Sequence, residues 1–339
     1  MQSFHNGVRE TLSDMKIFIT GATGYIGGAV ADALLAGGHE LAGLARSEES
    51  ALKLERRNIR VVRGEMKDLK TVAVAAGRAD AVVHAAWDGD DSRELELRLI
   101  DTVLNALKGT GKAFLYTSSV SVTGNTKAGA GDEESPYDPP SLGTWRAQAE
   151  KGVLDGAAMG IRTIVIRPAW VYGHGGGPVT MLIDAARLHD VVHFPGTGEN
   201  RLPWVHIDDL ASLYVLALGK AKPGSLFIGA SGPSYRIRDL AEFISRTGKA
   251  AGRTEAVPIE EAKLRTEPFL GARVEGFLLD QEFTGAKARH LLGWNPQGAS
   301  LLDELATGLY AARRENHPLA TKSYGPVLPR SGWTAISAG

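Results

Sequence analysis

Apolar residues in the first 125 positions fall into short continuous runs, separated by stretches that repeat apolar residues three and four apart. "KIFIT" (16–20), "HELAGLAR" (39–46), "IRVVRGE" (59–65), "ADAVVHAA" (79–86) and "KAFLYTSS" (112–119) read as strands. Unbroken apolar character is what a strand covered on both faces requires. Between them "YIGGAVADALLAGG" (25–38), the charged stretch after "SEES" and "RELELRLIDTVLNAL" (93–107) keep helical spacing. "SLGTWRAQAEKGVLD" (141–155) adds a helix, and "RTIVIRPAWVYG" (162–173) adds one buried strand. Strand and helix in alternation predict an α/β fold, a doubly wound parallel sheet with helices on both faces.

After residue 173 the rhythm loosens. "GHGGGP" is a loop, a helix is expected over 178–189, "SLFIGA" (225–230) is a short strand, and "SYRIRDLAEFISRTG" (234–248) is a helix opened by Ser234 or Tyr235. Ligands of such folds bind beyond the carboxyl ends of the strands. The division expected is an extension over 1–14, a nucleotide-binding core over 15–173, a smaller and mainly substrate-binding region over 174–320 with segments returning to the core, and a tail over 321–339. Met15 offers an alternative start.

Composition narrows the classes. The chain has 339 residues, 43% hydrophobic and 23% charged, with a formal net charge of −1. That balance favours neither nucleic acid nor an anionic membrane. The run "KLERRNIR" (53–60) reads as the solvated face of a helix entering the next strand. There is no cysteine, which excludes thiolate nucleophiles, disulfides and cysteine metal sites. No apolar run reaches the roughly 18 residues that span a bilayer. The cytoplasm is the default location, and no metal is expected.

The chemistry begins at "IFITGATGYIGG". Gly21, Gly24 and Gly27 directly follow a strand and open a helix, the arrangement of a Rossmann-type dinucleotide loop. Gly21 permits the tight turn, Gly24 leaves room for a pyrophosphate, and Gly27 allows close helix packing. Cofactor choice is read at the end of the second strand, where a carboxylate would hold the ribose of NAD. Arg46 and Ser47 stand there instead. Paired charged hydrogen bonds from Arg46 to a 2′-phosphate favour NADP, with NAD as the other possibility.

Several stretches together resemble the extended short-chain dehydrogenase/reductases, the NAD-dependent epimerase/dehydratase family, along nearly the whole chain. They are "TGATGYIG" (20–27), "HAA" (84–86), "YTSSVSVTG" (116–124), "IRPAWVYG" (166–173), "RLPWVHIDDLASLYVLAL" (201–218) and "KARHLLGWNP" (287–296). The resemblance implies cofactor contacts at Gly21, Thr23, Gly24, Tyr25, Ile26 and Gly27, at Arg46 and Ser47, and at Glu65 and Met66. It implies others at His84, Ala85 and Ala86, and at Arg146 and Pro168. It puts Ser119 at the active-site serine. A Tyr-x-x-x-Lys pair on one helix does such a family's proton work, and here Leu142 and Arg146 stand at those two positions. Leucine donates no proton, and arginine stays protonated. Asp101 lies close to a position that normally carries Asn. The chain is therefore similar to the atypical members whose catalytic residues are eroded, and a homodimer is expected by the same resemblance.

Substitutes for the missing acid are Tyr137, on the loop before the helix, and Ser119, whose hydroxyl can bond a carbonyl oxygen. Asp101 orients a water if it is buried and otherwise pairs with an arginine. Tyr172, His84, His174 and His206 are weaker candidates. Trp87, Trp145 and Trp170 either line the cleft or pack the core. The resemblance implies that a dehydratase carries an acid after the serine, so Val120 and Ser121 after Ser119 disfavour dehydration. Epimerisation by transient oxidation needs a strong base at the sugar hydroxyl, and Leu142 argues against that too. The leading expectation is an NADP-dependent reductase of a small or aromatic carbonyl or an activated double bond. The alternatives are a nucleotide-sugar epimerase-like enzyme and a non-catalytic NAD(P)-binding sensor or scaffold. A hydrolase lacks its G-x-S-x-G elbow and a zinc enzyme its H-E-x-x-H helix.

Overall fold

The computed structural model describes residues 14–310 apart from 88–92, 127–128, 141–142, 247–249 and 271–273. Leu142, nearly all of the expected N-terminal extension and the tail over 321–339 lie outside the described residues. The strand–helix alternation takes form as β1 (Lys16–Thr20), α1 (Tyr25–Ala36), β2 (Glu40–Ala45), α2 (Glu48–Glu55), β3 (Arg60–Arg63), α3 (Leu69–Arg78), β4 (Ala81–His84) and α4 (Arg93–Leu107). It continues as β5 (Ala113–Thr117), α5 (Thr144–Asp155), β6 (Arg162–Pro168), β7 (Trp170–Tyr172), α6 (Thr180–Leu188), β8 (Val192–Pro195), β9 (Arg201–Leu202), β10 (Trp204–His206), α7 (Ile207–Lys220) and β11 (Ser225–Gly229). Then come β12 (Tyr235–Arg236), α8 (Ile237–Ser245), β13 (Thr254–Val257), α9 (Ile259–Leu270), α10 (Val274–Phe277), α11 (Ala286–Leu292) and α12 (Leu301–Thr307).

Seven strands form one sheet in the order β11-β6-β5-β4-β1-β2-β3, with every pair parallel. Strand side chains alternate between its faces. Ile17, Ile19, Val83, Leu115 and Ile166 pack with α1, α2 and α7, whereas Phe18, Val82, Phe114 and Val165 pack with α3, α4 and α5. Helix α1 buries Gly27, Val30, Ala31 and Leu34, the single stripe that helical spacing provides. The fold is the expected Rossmann-type doubly wound sheet.

A third cluster, with Trp204, Phe194, Ile237 and Leu301 among its members, makes the smaller C-terminal lobe from α6, α8, α12 and three two-stranded sheets. Two expected elements differ. The strand over 162–173 divides after Pro168: β6 stays in the main sheet, while β7 pairs with β10. Ala169 N–H still bonds Gly229, but Trp170 N–H turns to Pro203 O at 3.0 Å, and the chain leaves the sheet. Helix α8 starts at Ile237 because Tyr235 and Arg236 pair with β9 instead.

Candidate active site

Strands β1 and β4 are neighbours whose successors lie on opposite sides, so a crevice opens above their carboxyl ends. Gly21 turns there at φ +78°, and a Cβ on it would sit 2.6 Å from Ala86 N and 2.7 Å from Ala85 O. A Cβ on Gly27 would sit 2.2 Å from Gly21 O, so helix and loop touch backbone to backbone. Gly24 is exposed, donates to Gly21 O at 2.9 Å, and opens α1 with no side-chain cap. The first N–H groups of α1 are thus left for an anion. The residues present fit a dinucleotide, because the cradle is one that side chains would fill.

The other expected cofactor residues line the same edge with different freedoms. His84 is buried and bonds Thr20 Oγ1 at 2.6 Å and Glu96 Oε1 at 3.0 Å, which makes it a fixed floor under the loop. Met66 and Pro168 are buried, and Glu65 pairs with Lys67 at 2.8 Å. Ile26 packs against the core on the α1 side. Tyr25 turns away, donating to Gly173 O at 2.7 Å and so tying the glycine loop to the loop after β7. Ser47 is taken up as the N-cap of α2, accepting from Ser50 N–H at 3.2 Å. Glu48 and Glu49 fill the first turn of that helix, beside Arg46.

Ser119 follows β5. Its Oγ accepts from Ser121 N–H at 3.2 Å and from Ser121 O–H at 2.9 Å, so its own proton remains to be given. Gln281, fully buried, clamps this turn from the C-terminal lobe, donating to Val120 O at 3.0 Å and Gly124 O at 2.7 Å. A Cβ on Gly276 would lie 3.6 Å from Ser121 Cβ and 3.7 Å from the Trp170 ring, which itself meets Phe277 edge-on at 5.7 Å. Trp170 thus stands beside the serine turn. Trp145 belongs to the opposite face of the sheet, with the Arg146 guanidinium 4.5 Å above it, and Trp87 is 36% exposed.

Tyr137 is engaged by a buried carboxylate, and Asp101 faces solvent. Tyr137 donates to Glu150 Oε1 at 2.7 Å, a carboxylate that also takes Arg167 Nη2 at 2.6 Å between α5 and β6. Burial and the hydrogen bond to Glu150 push its phenol up to about 12. Asp101 is exposed, because α4 turns Glu96, Ile100 and Val103 to the sheet instead. Burial pushes the Glu96 carboxyl up, but His84 and Arg146 outweigh it and hold it below its usual value. Tyr172 donates to Ala299 O at 2.8 Å, and His206 caps α7. His174 bonds Asp208 at 3.0 Å, which raises its pKa.

The sequence reading also missed three residues, Glu96, Gln281 and Arg57. Arg57, in a run read as solvated, reaches the glycine loop and bonds Ala22 O at 2.8 Å. Only the inward-facing phase of its helix marked Glu96 in advance.

Comparison with known proteins adds three relatives. An uncharacterized protein of Schizosaccharomyces pombe is 33% identical over 310 residues, covering 87% of this chain and 100% of its own length. A 2-alkyl-3-oxoalkanoate reductase of Stenotrophomonas maltophilia is 29% identical, covering 67% of this chain and 73% of its own. The crystal structure of DesIV, a dTDP-glucose 4,6-dehydratase of Streptomyces venezuelae, superposes with a TM-score of 0.71 at 23% identity, covering 89% of this chain and 98% of its own. At that identity the likeness is one of fold.

DesIV holds NAD, as do a dTDP-glucose 4,6-dehydratase of Bacillus anthracis and a UDP-glucose 4-epimerase of Thermus thermophilus that share the fold. This overturns the expectation of NADP drawn from Arg46. The model of the NAD dependent epimerase/dehydratase family matches residues 17–229. With a glycine cradle at the crevice, a serine turn beside it and a match over most of the chain, this protein belongs to the NAD-dependent epimerase/dehydratase family.

Proposed function

We propose that this chain is an NAD-dependent oxidoreductase acting at a carbon that bears a hydroxyl or carbonyl oxygen, with nucleotide-sugar epimerase-type chemistry as its leading form. One observation carries the reading: a cradle that fits a dinucleotide and a serine hydroxyl with a proton to give lie on one sheet edge. When bound, NAD supplies the hydride-accepting and hydride-donating carbon of its nicotinamide. Gly21, Gly24 and the open end of α1 would hold its pyrophosphate, and Arg146 would bond ribose hydroxyls.

Ser119 points its O–H at the substrate oxygen and stabilises negative charge that develops there. Arg146, always protonated, adds a fixed positive field. With Leu142 aliphatic and both acceptor sites of Ser119 Oγ taken by Ser121, the proton of that oxygen is taken up and returned by solvent water. Elimination does not belong to this site, because buried Val120 follows Ser119 where an acid would be needed.

A nucleotide sugar as substrate is supported by the solved dehydratases and epimerases that share the fold. This reverses the order of the expectation that put carbonyl reduction first. Reduction of a simple ketone remains the second reading, favoured by the aromatic face of Trp170 and Phe277 beside Ser121 and by the oxoalkanoate reductase among the relatives.

The test is binding followed by turnover. NAD should bind more tightly than NADP. UDP-glucose and dTDP-glucose should be converted to epimers with no net NADH. Ser119→Ala should lower kcat by about 10²-fold while leaving the NAD Kd within about twofold. Net NADH oxidation by simple ketones, with nucleotide sugars inert, would select the second reading. Failure to bind NAD, or a Ser119→Ala variant of undiminished kcat, would sink both.

A further inference from the structure

Arg57 lies just past the C-terminal end of α2, in a charge run that reads as solvent-facing. Its guanidinium turns inward. Nη1 donates to Ala22 O at 2.8 Å, Nη2 to Gly28 O at 2.6 Å, and Nε to Asp32 Oδ1 at 2.9 Å. One cation thus joins the glycine loop, the first turn of α1 and its next turn. A surface ion pair with Asp32 needs neither carbonyl, and such pairs contribute little. Two backbone carbonyls in addition make a fixed fork, which Arg geometry suits and Lys does not.

We propose that Arg57 is a positioning residue of the dinucleotide site, an inference that rests on the dinucleotide reading above. The carbonyl of Ala22 and the N–H of Thr23 belong to one peptide. There are no cis bonds in the described chain, and in a trans peptide the two groups point in opposite directions. Holding Ala22 O back against Arg57 therefore turns Thr23 N–H outward, to the side where Gly24 is exposed and α1 begins. Thr23 N–H takes no part in the loop's own hydrogen bonds, among which Gly24 N–H to Gly21 O is the closing one. The guanidinium also polarises that peptide, which strengthens the N–H as a donor. Its target is the pyrophosphate, the one part of the cofactor that carries charge at this turn.

The test compares ligands with and without phosphates. NAD, ADP-ribose and adenosine are titrated against the wild type, Arg57→Gln, Arg57→Lys and Asp32→Asn. Arg57→Gln should raise the Kd of NAD and of ADP-ribose by about tenfold and leave that of adenosine within about twofold. Asp32→Asn keeps both carbonyl bonds and should change NAD binding by less than about threefold. Arg57→Lys, which keeps the charge but not the fork, should fall between, and it decides the matter if Arg57→Gln does not fold. Equal weakening of all three ligands would mean general loosening of α1 and overturn the inference. So would unchanged NAD affinity while the wild type binds NAD. A wild type that binds no NAD would remove the dinucleotide reading itself, and this inference with it.

Discussion

Glu150 and Arg167 face each other with 0% and 1% of their side chains exposed, and Tyr137 donates to the same carboxylate. A buried ion pair of this kind depends on every partner, because a lone charge left inside is costly. Tyr137→Phe removes a single bond and should cost about 1 kcal/mol. The folded phenol is raised to about 12 by burial and by Glu150. Its contribution is therefore whole below the unfolded tyrosine value of about 10 and is lost as pH rises through the folded value. Urea titrations should show wild type and Tyr137→Phe separated by a constant gap at neutral pH that closes in strong alkali. Turnover at neutral pH should be the same for both. A large fall in kcat would instead restore Tyr137 as the acid. Its place in the chain, on a loop before a catalytic-type helix, read as catalytic because the partner that claims it stands 13 residues away. Arg167 is a further 17 from that partner. Such a claim is a property of contact, not of local pattern.

Within an element, local pattern is far more telling. Helix α1 was readable almost in full, because the turn before it, its apolar stripe and its terminal glycines all lie within a few positions of one another. The same compactness makes its two adjacent glycines a sharp contrast. Gly27 has no room for a Cβ, which would meet Gly21 O at 2.2 Å, whereas a Cβ on Gly28 meets Ala22 O at 3.5 Å. Gly27→Ala should force the loop off the helix, destabilise the protein by about 2 kcal/mol or more and abolish NAD binding. Gly28→Ala should stabilise by up to about 1 kcal/mol through helix propensity, with NAD binding kept. Thermal melts with and without NAD decide it, and equal outcomes for the two would mean that the backbone contact at Gly27 is not the constraint. Elements shaped by partners from elsewhere were less legible. Nothing within "RTIVIRPAWVYG" or at Tyr235–Arg236 announces that β10 and β9 are waiting, so a divided strand and a late helix start were missed.

At the scale of the molecule, segments after residue 173 return both to the sheet and to its core. Strand β11 completes the sheet beside β6, and Ala288, Leu292 and Trp294 belong to the same buried cluster as Ile17 and Val83. Trp294 donates through Nε1 to Asp209 O at 2.9 Å, and Asp209 Oδ1 accepts from Gln297 N–H at 2.7 Å and Gly298 N–H at 2.9 Å. The Trp294 ring leaves Gly285 no space for a side chain, a Cβ there falling 2.2 Å from it. The segment after α10 is thus locked on α7, and α7 packs along α1 beneath the glycine loop. From the other side of the cleft Gln281 clamps the serine turn. The C-terminal lobe has its own buried cluster, but Gln281 and the segment locked on α7 tie it to the sheet, so the two should unfold together. We expect a single urea transition, with fluorescence and far-UV dichroism superimposed. Trp294→Ala should shift that transition by about 3–5 kcal/mol while keeping it single. It should also weaken NAD binding, since the prop under α1 goes with it. A biphasic wild-type curve, or a Trp294→Ala variant that melts its C-terminal lobe while the glycine loop still binds NAD at full affinity, would mean that the lobes are energetically separate and that the cofactor site stands on the sheet alone.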